Sequence, residues 1–387
     1  MEENKKYRYL FSCLVVLLCG RHTLLLLGFS SIASIMFKLL YIVAFLTLAV
    51  CFWDKIKCGS INSTNSMLLL VTLCVAFIFF VLLLKFPTKL EAAATLLITW
   101  PLLLCLSVFK ITKREAKIYY ICLIPIAVIL IASMFFGSGY KNGELLLYTD
   151  NSNQSGLLYM SVFMGIFIYQ FLNKINFLMI FLEIGLLYGC WLTQSRTAFL
   201  ACIILVALSV ILYFIPKLRK PVLLMAGVAM VISPFLIGTL SKILDSDFTI
   251  MGASIFTGRE KIWPSIISKI FSSINAPFTF NVDKIAWRHA SGRDIGAHHV
   301  ILDIAWKYSV PMAVAFLASL GSIAKNAFEY FDDKKSSVVV ACMVAALLHM
   351  TMEAVVIGGA LDYSLYFILN ILCALSMLQP KEEKVSE

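Results

Sequence analysis

From Leu240 to Ser309 the sequence reads LSKILDSDFTIMGASIFTGREKIWPSIISKIFSSINAPFTFNVDKIAWRHASGRDIGAHHVILDIAWKYS. It is the only long stretch that is not dominated by apolar residues, and it contains three of the five histidines. On both sides of it the chain consists of apolar runs of about 20 residues, the length that an α-helix needs to cross a bilayer. We therefore expect a membrane protein that carries out its chemistry in this one polar connection.

The composition supports that division. Hydrophobic residues make up 61% of the 387 residues and charged residues 14%, against about 45–50% and about 25% in soluble domains. Continuous apolar runs favour helices over a β-barrel, whose strands alternate apolar and polar residues. Lysines and arginines in cytoplasmic loops explain the formal charge of +10, so nucleic acid is not an expected partner. None of the eleven cysteines lies in the polar stretch, which argues against a disulfide framework or a Cys-based metal site there.

The pattern predicts an all-α polytopic membrane protein with about twelve transmembrane helices. Nine are expected within residues 1–239 and three within 310–379. A large periplasmic loop with short amphipathic helices is expected over 240–309, and a cytoplasmic tail over 380–387. The predicted helices span roughly 8–29, 36–53, 66–84, 89–109, 118–136, 155–172, 175–193, 197–215, 221–239, 308–324, 336–351 and 361–378.

Lysines and arginines collect in alternate connections between these helices. Basic residues favour the cytoplasmic side, so both termini are expected inside and the polar stretch outside. In a bacterium this predicts a multi-pass protein of the inner membrane whose active site faces the periplasm. The lipid bilayer itself is then a partner.

Arg196 stands where two predicted helices meet, in Trp191-Leu-Thr-Gln-Ser-Arg-Thr-Ala-Phe-Leu200. An arginine near hydrocarbon is costly and usually has a partner or a task. It could also be a snorkelling side chain that marks the interface. Its polar neighbours favour a functional role, since they could form a polar pocket at membrane depth.

A second candidate lies in Phe256-Thr-Gly-Arg-Glu-Lys-Ile-Trp263. Thr257 and Glu260 have capping-box spacing, which predicts a helix start and places Arg259 in its first turn. A cation beside free backbone N–H groups suits phosphate. The apolar positions that follow predict an amphipathic helix on the membrane surface, which Pro264 would bend or end.

A third candidate is the histidine pair His298 and His299, where the polar stretch gives way to a helix. Histidine is the side chain best suited to move a proton near neutral pH. A metal site is the rival interpretation, with His289 and Asp303 as further ligands, but the spacing matches no compact metal motif. We therefore expect neither metal nor cofactor. Acidic residues such as Glu183 and Glu353 are expected to be neutral or paired within the bundle.

These motifs, in this order, resemble those of the O-antigen polymerase and O-antigen ligase superfamily. Thr193-Gln-Ser-Arg-Thr-Ala-Phe-Leu200 is similar to the Ser-Arg helix end of that family, and Thr257-Gly-Arg-Glu-Lys-Ile-Trp263 to its Gly-Arg…Trp segment. Ala297-His298, with Leu302 and Tyr308, is similar to its Ala-His-Asn…Leu…Gly-x-x-Gly segment. The chain departs from the pattern where His299 replaces the usual amide and where Ser309 and Met312 replace the two glycines.

The resemblance implies a metal-independent glycosyltransferase that acts on undecaprenyl-diphosphate-linked glycans, donor and acceptor alike. It implies that His298 activates the acceptor hydroxyl and that arginines bind the diphosphate. The arginines are Arg196 and Arg259, with Arg293 as a further candidate; His299 and Arg288 are secondary candidates. A chain-length regulator would be a further partner.

Several functions remain open at this point. A polymerase extends lipid-linked repeat units, whereas a ligase transfers the finished polysaccharide to lipid A–core, and both need the same residues. A secondary transporter or lipid-linked glycan flippase would suit twelve helices with intramembrane carboxylates, although the two halves show no repeat. A peptidoglycan polymerase of related architecture has no strong local signal in this sequence.

Overall fold

The computed structural model describes residues 3–57, 111–136, 140–141, 143–149, 151–173, 175–243, 249–250, 253–254, 258–281, 286–288, 294–328, 330–353 and 361–378. Within these residues the α-helices are α1 (Glu3–Leu26), α2 (Ser30–Lys57), α3 (Lys113–Phe136), α4 (Ser152–Leu172), α5 (Phe177–Leu192), α6 (Arg196–Phe214), α7 (Arg219–Ile243), α8 (Arg259–Ile270), α9 (Val300–Tyr308), α10 (Val310–Phe328), α11 (Ser336–Met352) and α12 (Leu361–Met377). Three short hairpins pair β1 (Tyr140–Lys141) with β2 (Glu144–Leu145), β3 (Thr249–Ile250) with β4 (Ala253–Ser254), and β5 (Trp287–Arg288) with β6 (Asp294–Ile295). Short 3-10 turns cover Pro216–Leu218 and Ala276–Phe278.

The predicted helices correspond to helices of the structure wherever they fall on described residues. The predictions over 66–84 and 89–109 lie outside the described residues. Most boundaries differ by a few residues; for example, α3 begins at Lys113 rather than near 118. The run predicted over 308–324 begins at Val310 and is preceded by the separate helix α9, with Ser309 between them.

Long apolar helices make this an α-helical membrane protein. Six helices of the described part (α1, α2, α3, α4, α6 and α7) are long and apolar enough to cross a bilayer, and α5, α10, α11 and α12 are apolar but shorter. α5 shows how such a helix divides its surface. Phe177, Phe181, Ile184 and Tyr188 are more than half exposed on one face. The opposite face buries Leu182, Leu186 and Cys190 against the bundle, so the exposed apolar stripe is the surface suited to lipid.

α4 is the centre of the bundle. In its span 78% of the residues are buried, against 22–39% in the other five long helices. It packs against α3, α5, α6 and α12. A buried polar contact fixes this packing, because the Asn370 amide of α12 accepts from Tyr119 of α3 at 2.8 Å and donates to the Ser161 carbonyl of α4 at 2.9 Å. Polar side chains that hydrogen-bond between helices stabilise bundles in lipid.

α6 and α11 form an extensive helix pair. They run antiparallel, because Arg219 joins Leu212 near the end of α6 to Ser336 at the start of α11. At this end of the pair, Arg219 joins three segments. Its guanidinium is 1% exposed and donates to the carbonyls of Leu212, Asp333 and Lys334, at 3.1, 2.8 and 3.0 Å. Of the described candidates, Arg196, Arg259 and His298 lie at the opposite end.

Candidate active site at one end of the bundle

Glu353, the residue that caps the C-terminus of α11, is the hub of the site. Its Oε2 lies 3.0 Å from Nδ1 of His298. Its Oε1 accepts a hydrogen bond from the Asn153 amide at 3.1 Å and lies 3.5 Å from Nη2 of Arg259. One carboxylate thus joins the end of α11 to the starts of α4 and α8 and to the turn before α9.

His298 is held in an unusual backbone conformation. Its φ is +48°, in the left-handed region that costs a non-glycine residue free energy and recurs at functional sites. The preceding residue is fixed, since Ala297 is fully buried and its carbonyl accepts from the Trp263 indole at 2.8 Å. The His298 side chain is 39% exposed, and its contact with Glu353 uses Nδ1. A carboxylate on Nδ1 favours the tautomer in which Nε2 is free to accept a proton.

His299 has a different role. It is fully buried and caps the N-terminus of α9, where its Nδ1 accepts from the Leu302 N–H at 3.4 Å. Its Nε2 lies 3.0 Å from the Met230 carbonyl of α7, and its ring packs edge-on against Trp263. Burial lowers the pKa of His299 to about 4, and the nearby charge of Arg259 acts in the same direction. Both nitrogens of this neutral ring are engaged in holding α9, so His298 is the chemically available histidine of the pair.

Arg259 lies in the first turn of α8, as the sequence predicts, although the N-cap is Gly258 and not the expected Thr257. Gly258 precedes it with φ +84°, and the helix start has no side-chain cap, while Thr257 of the predicted capping box lies outside the described residues. The Arg259 side chain is 11% exposed and donates to the Met352 carbonyl at 2.8 Å. The short helix α8 thereby places a guanidinium against the end of α11.

The structure corrects the expected position of α8 on the membrane surface and shows that Pro264 does not end the helix early. The helix continues to Ile270. The apolar face of Ile262, Ile266 and Ile270 does not lie on the membrane surface, because these side chains are 0–3% exposed and α8 packs against α7 and α9. The amphipathic face was recognised correctly, but the protein itself covers it.

Arg196 begins α6, directly after a tight turn in which Gln194 has φ +55°. Thr193 and Ser195 of this turn are 0% and 1% exposed, so they face the protein interior and do not line an open pocket. They contact Gly156 of α4, where a Cβ would come within 2.3 Å of the Ser195 Cβ. The glycine therefore permits the close helix contact that sets the position of Arg196.

The charges of this cluster act on one another. Burial lowers the pKa of Arg259, Glu353 raises it, and the positive charge of Arg196 lowers it again. Burial alone would raise the pKa of Glu353, but His298 and Arg259 outweigh it, so that this pKa is lowered. Glu353 is therefore an anion, in contact with the guanidinium of Arg259 and the imidazole of His298. Arg196 and Arg259 place two positive charges near one another, with Glu353 and Glu260 as the nearby carboxylates, and guanidiniums are well suited to bind a diphosphate.

For the other predicted site residues, the structure shows no contact with the Glu353 cluster within the described part of the chain. Arg288 is exposed in the hairpin of β5 and β6, in register with Asp294. Arg293 and His289 lie outside the described residues. Arg288 and Arg293 stay predictions as contacts for diphosphate or glycan.

Sequence reasoning missed the role of two residues. Glu353 was expected to be neutral or paired, and it is paired, but its place in the site was not predicted, and Asn153 was not singled out. The signal that could have identified them is their position, because Glu353 directly follows an apolar helix and Asn153 lies in the first turn of another.

No protein-family model, curated protein or solved structure matches this chain.

Proposed function

We propose that this chain is a membrane glycosyltransferase that polymerises undecaprenyl-diphosphate-linked O-antigen or capsule repeat units at the periplasmic face of the bacterial inner membrane. The observation that carries the proposal is the Glu353 cluster. It combines a histidine with a free Nε2 and two arginines whose charges act on each other. A proton acceptor beside an anion site is what transfer from a lipid diphosphate requires.

In this proposal the arginines stabilise the diphosphate leaving group. A lipid diphosphate leaves readily only if its growing negative charge is neutralised, and fixed guanidiniums can provide this. Arg259 is held by Met352 and Glu353, and Arg196 by the buried turn beside Gly156. Little reorganisation is then needed when the charge develops.

His298 acts on the acceptor. The acceptor hydroxyl attacks the anomeric carbon of the donor, the bond from that carbon to the diphosphate oxygen breaks, and the hydroxyl proton passes to Nε2 of His298. Glu353 holds the ring and stabilises the imidazolium that forms. Attack opposite the diphosphate would invert the anomeric carbon. A product with the same anomeric configuration as the donor would contradict this step.

The orientation is part of the proposal. Lys217, Lys220, Lys334 and Lys335 lie around the Arg219 end of the bundle, away from the Glu353 cluster. Basic residues collect on the cytoplasmic side of membrane proteins. This supports a cytoplasmic Arg219 end, a periplasmic site and cytoplasmic termini.

A transporter or lipid-linked glycan flippase is the second candidate, and one observation favours it. Glu183 lies within α5, and its Oε1 is buried without a hydrogen-bond partner in the described part of the chain. Intramembrane carboxyls of this kind serve in proton coupling. If Glu183→Gln abolishes function and His298→Ala does not, the transporter replaces the enzyme.

The test uses purified protein, an undecaprenyl-diphosphate-linked repeat unit and no added metal. We expect the wild type to form a ladder of longer lipid-linked glycans. His298→Ala should lose about 10²- to 10⁴-fold of the rate, the usual contribution of a general base. Arg196→Ala should also lose the ladder. Arg114→Ala is the matched control, because Arg114 is exposed at the start of α3 and should be dispensable.

The same assay separates polymerase from ligase. If no ladder forms, lipid A–core is added as the acceptor. Transfer to lipid A–core alone would make the protein an O-antigen ligase. No product with either acceptor would refute both glycosyltransferase assignments and favour the transporter.

A further inference from the structure

Three large apolar side chains are exposed in the segment that directly follows α8. Phe271, Ile274 and Phe278 are 57%, 91% and 63% exposed, although they lie in the polar connection between α7 and α10. A single exposed apolar residue is ordinary, but several in one short segment mark contact with a membrane or with another protein. This stretch, residues 271–278, is termed the apolar segment.

The apolar segment is attached to the protein just beyond its C-terminal end. The N–H of Asn281 donates to the Lys307 carbonyl at 3.0 Å, and the Asn281 amide donates to the Trp306 carbonyl at 3.2 Å. Asn281 is 7% exposed, so both bonds are shielded from water. Trp306 and Lys307 lie in the last turn of α9, and this turn therefore fixes the position of the segment.

α10 places this attachment at the boundary of the bilayer. The helix begins directly after α9 and runs to Phe328, whose ring centre lies 5.6 Å from Nζ of Lys220 at the Arg219 end of the bundle. Its start therefore lies at the end that carries the Glu353 cluster. The 3-10 turn Ala276–Phe278 packs against α9 and α10, and Val314 near the start of α10 is exposed. The apolar segment thus adjoins the surface of α10 that is suited to lipid.

The backbone of the segment is also suited to a position against lipid. Backbone groups that meet hydrocarbon need hydrogen-bond partners within the protein. The N–H of Phe271 donates to the Ile267 carbonyl and that of Phe278 to the Asn275 carbonyl, both at 3.0 Å. Pro277 has no N–H to satisfy. The two phenylalanines can therefore enter lipid without leaving their own N–H groups unpaired.

We propose that the apolar segment inserts Phe271, Ile274 and Phe278 into the leaflet on the side of the Glu353 cluster. Its partner is the lipid at the boundary of headgroups and acyl chains, where amphipathic elements insert by about 5–10 Å. The protein itself covers the apolar face of α8, so the membrane contact belongs to the segment after that helix. This contact holds the end of α8 that lies opposite Arg259. It does not depend on the reaction that the site catalyses.

The experiment measures whether lipid or water surrounds each side chain. Full-length protein carries trifluoromethylphenylalanine in place of one residue at a time, in nanodiscs of phosphatidylethanolamine and phosphatidylglycerol. Fluorine relaxation is enhanced either by a lipid with a nitroxide on its acyl chain or by a water-soluble gadolinium chelate. Labels at Ile274 and Phe278 test the proposal, and a label at Phe181, exposed on the apolar face of α5, is the reference for lipid. Ser272 is the matched control, because it is exposed in the same segment and its hydroxyl bonds the Lys269 carbonyl.

The nitroxide lipid should act on Ile274 and Phe278 about threefold more strongly than the chelate does, as it does on Phe181, because these side chains lie below the headgroups. The chelate should dominate at Ser272. Ile274→Asp should then reduce the effect of the nitroxide lipid on Phe278 about twofold or more, because a charge resists transfer from water into lipid. Ser272→Asp adds the same charge beside Phe271 and should leave the effect on Phe278 unchanged.

Each contrary result overturns the proposal. A stronger effect of the chelate on Ile274 and Phe278 would place the segment in water. Protection of both labels from both agents would show that a second copy of the chain or another protein covers them. Equal effects of Ile274→Asp and Ser272→Asp would show that the apolar side chain of Ile274 does not hold the segment in lipid. The proposed function is tested separately by the transfer assay, so the two can fail independently.

Discussion

Adjacent residues with the same side chain have opposite roles in this protein. His298 is partly exposed and contacts Glu353, whereas His299 is fully buried and caps α9. The backbone explains the difference, because the left-handed φ of His298 turns the chain immediately before the helix begins. Sequence alone left both histidines as candidates, and the local conformation separates them.

The buried histidine predicts a pH dependence of stability. The pKa of His299 is about 4 in the folded protein, below the ordinary value of about 6.5. Below pH 6.5 the unfolded chain therefore takes up a proton that the folded one does not. The contribution of His299 is complete above pH 6.5 and is lost as the pH falls toward 4, by up to about 1.4 kcal/mol per pH unit.

His299→Asn is the variant that tests this dependence. Asparagine is a good N-cap but does not titrate, so the slope of unfolding free energy between pH 6.5 and 4 should be shallower than in the wild type. Transfer activity should persist at neutral pH, because His298 is retained. An unchanged slope would show that His299 is not the group that titrates.

Ser309 predicts a second effect at the residue scale. It separates α9 from α10 with φ +100° and ψ 157°, a region that is almost reserved for glycine. Ser309→Gly should raise the unfolding free energy by about 1 kcal/mol, since relief of strain outweighs the added freedom of the unfolded chain. Ser161→Gly, a buried serine within α4, should lower it by about 0.5–1 kcal/mol. Equal effects of the two substitutions in thermal unfolding would argue against strain at Ser309.

At the scale of helices, the site depends on how closely α4 approaches the turn before α6. A Cβ on Gly156 would meet the Ser195 Cβ at 2.3 Å and the Thr193 hydroxyl at 2.9 Å. The Ser195 Cβ is attached to the backbone and cannot rotate away. Gly156→Ala must therefore move the turn, and Arg196 with it.

We expect Gly156→Ala to lower both stability and transfer rate. A displacement of 1 Å in a catalytic group can cost about 10²-fold in rate. Gly227→Ala is the matched control, since Gly227 lies within α7 with no atom within 4 Å of the added Cβ. This control should stabilise the helix by about 0.5–1 kcal/mol and leave the rate unchanged. Comparable rates for the two variants would show that the close contact does not position Arg196.

At the scale of the whole molecule, the two ends of the bundle are built differently. The Glu353 cluster joins helix ends through charged groups, and its exposed His298 leaves it accessible. The opposite end is closed by Arg219, which hydrogen-bonds the end of α6 and the turn before α11. A charged cluster with a partly exposed histidine at the first end and a buried arginine network at the second fit a division between chemistry and stability.

Arg219→Met should therefore affect stability and not chemistry. It removes the donor from several buried carbonyls, and such losses cost about 1–3 kcal/mol for each unsatisfied group. We expect a clear fall in melting temperature, with the KM of the remaining folded protein unchanged. Lys220→Met is the control, because Lys220 is exposed at the next position. A normal melting temperature for Arg219→Met would show that this network is dispensable.

The sequence sufficed for the features that depend on local composition. Apolar runs long enough to span a bilayer specify helices, because lipid leaves the backbone no other way to satisfy its hydrogen bonds. For the same reason the described helices correspond to the predicted ones within a few residues. The arginine at the start of α6, the arginine at the start of α8 and the histidine before α9 could also be recognised from their positions at helix ends.

Only the tertiary structure brings these residues together. Glu353 contacts Asn153 of α4, a contact that depends on how the helices pack, and no local periodicity encodes it. The burial of the amphipathic face of α8 has the same origin, since a protein surface and a membrane surface demand the same apolar pattern. Helix formation is a local consequence of composition, whereas the choice between partners for an apolar face or a buried charge is made by the whole bundle.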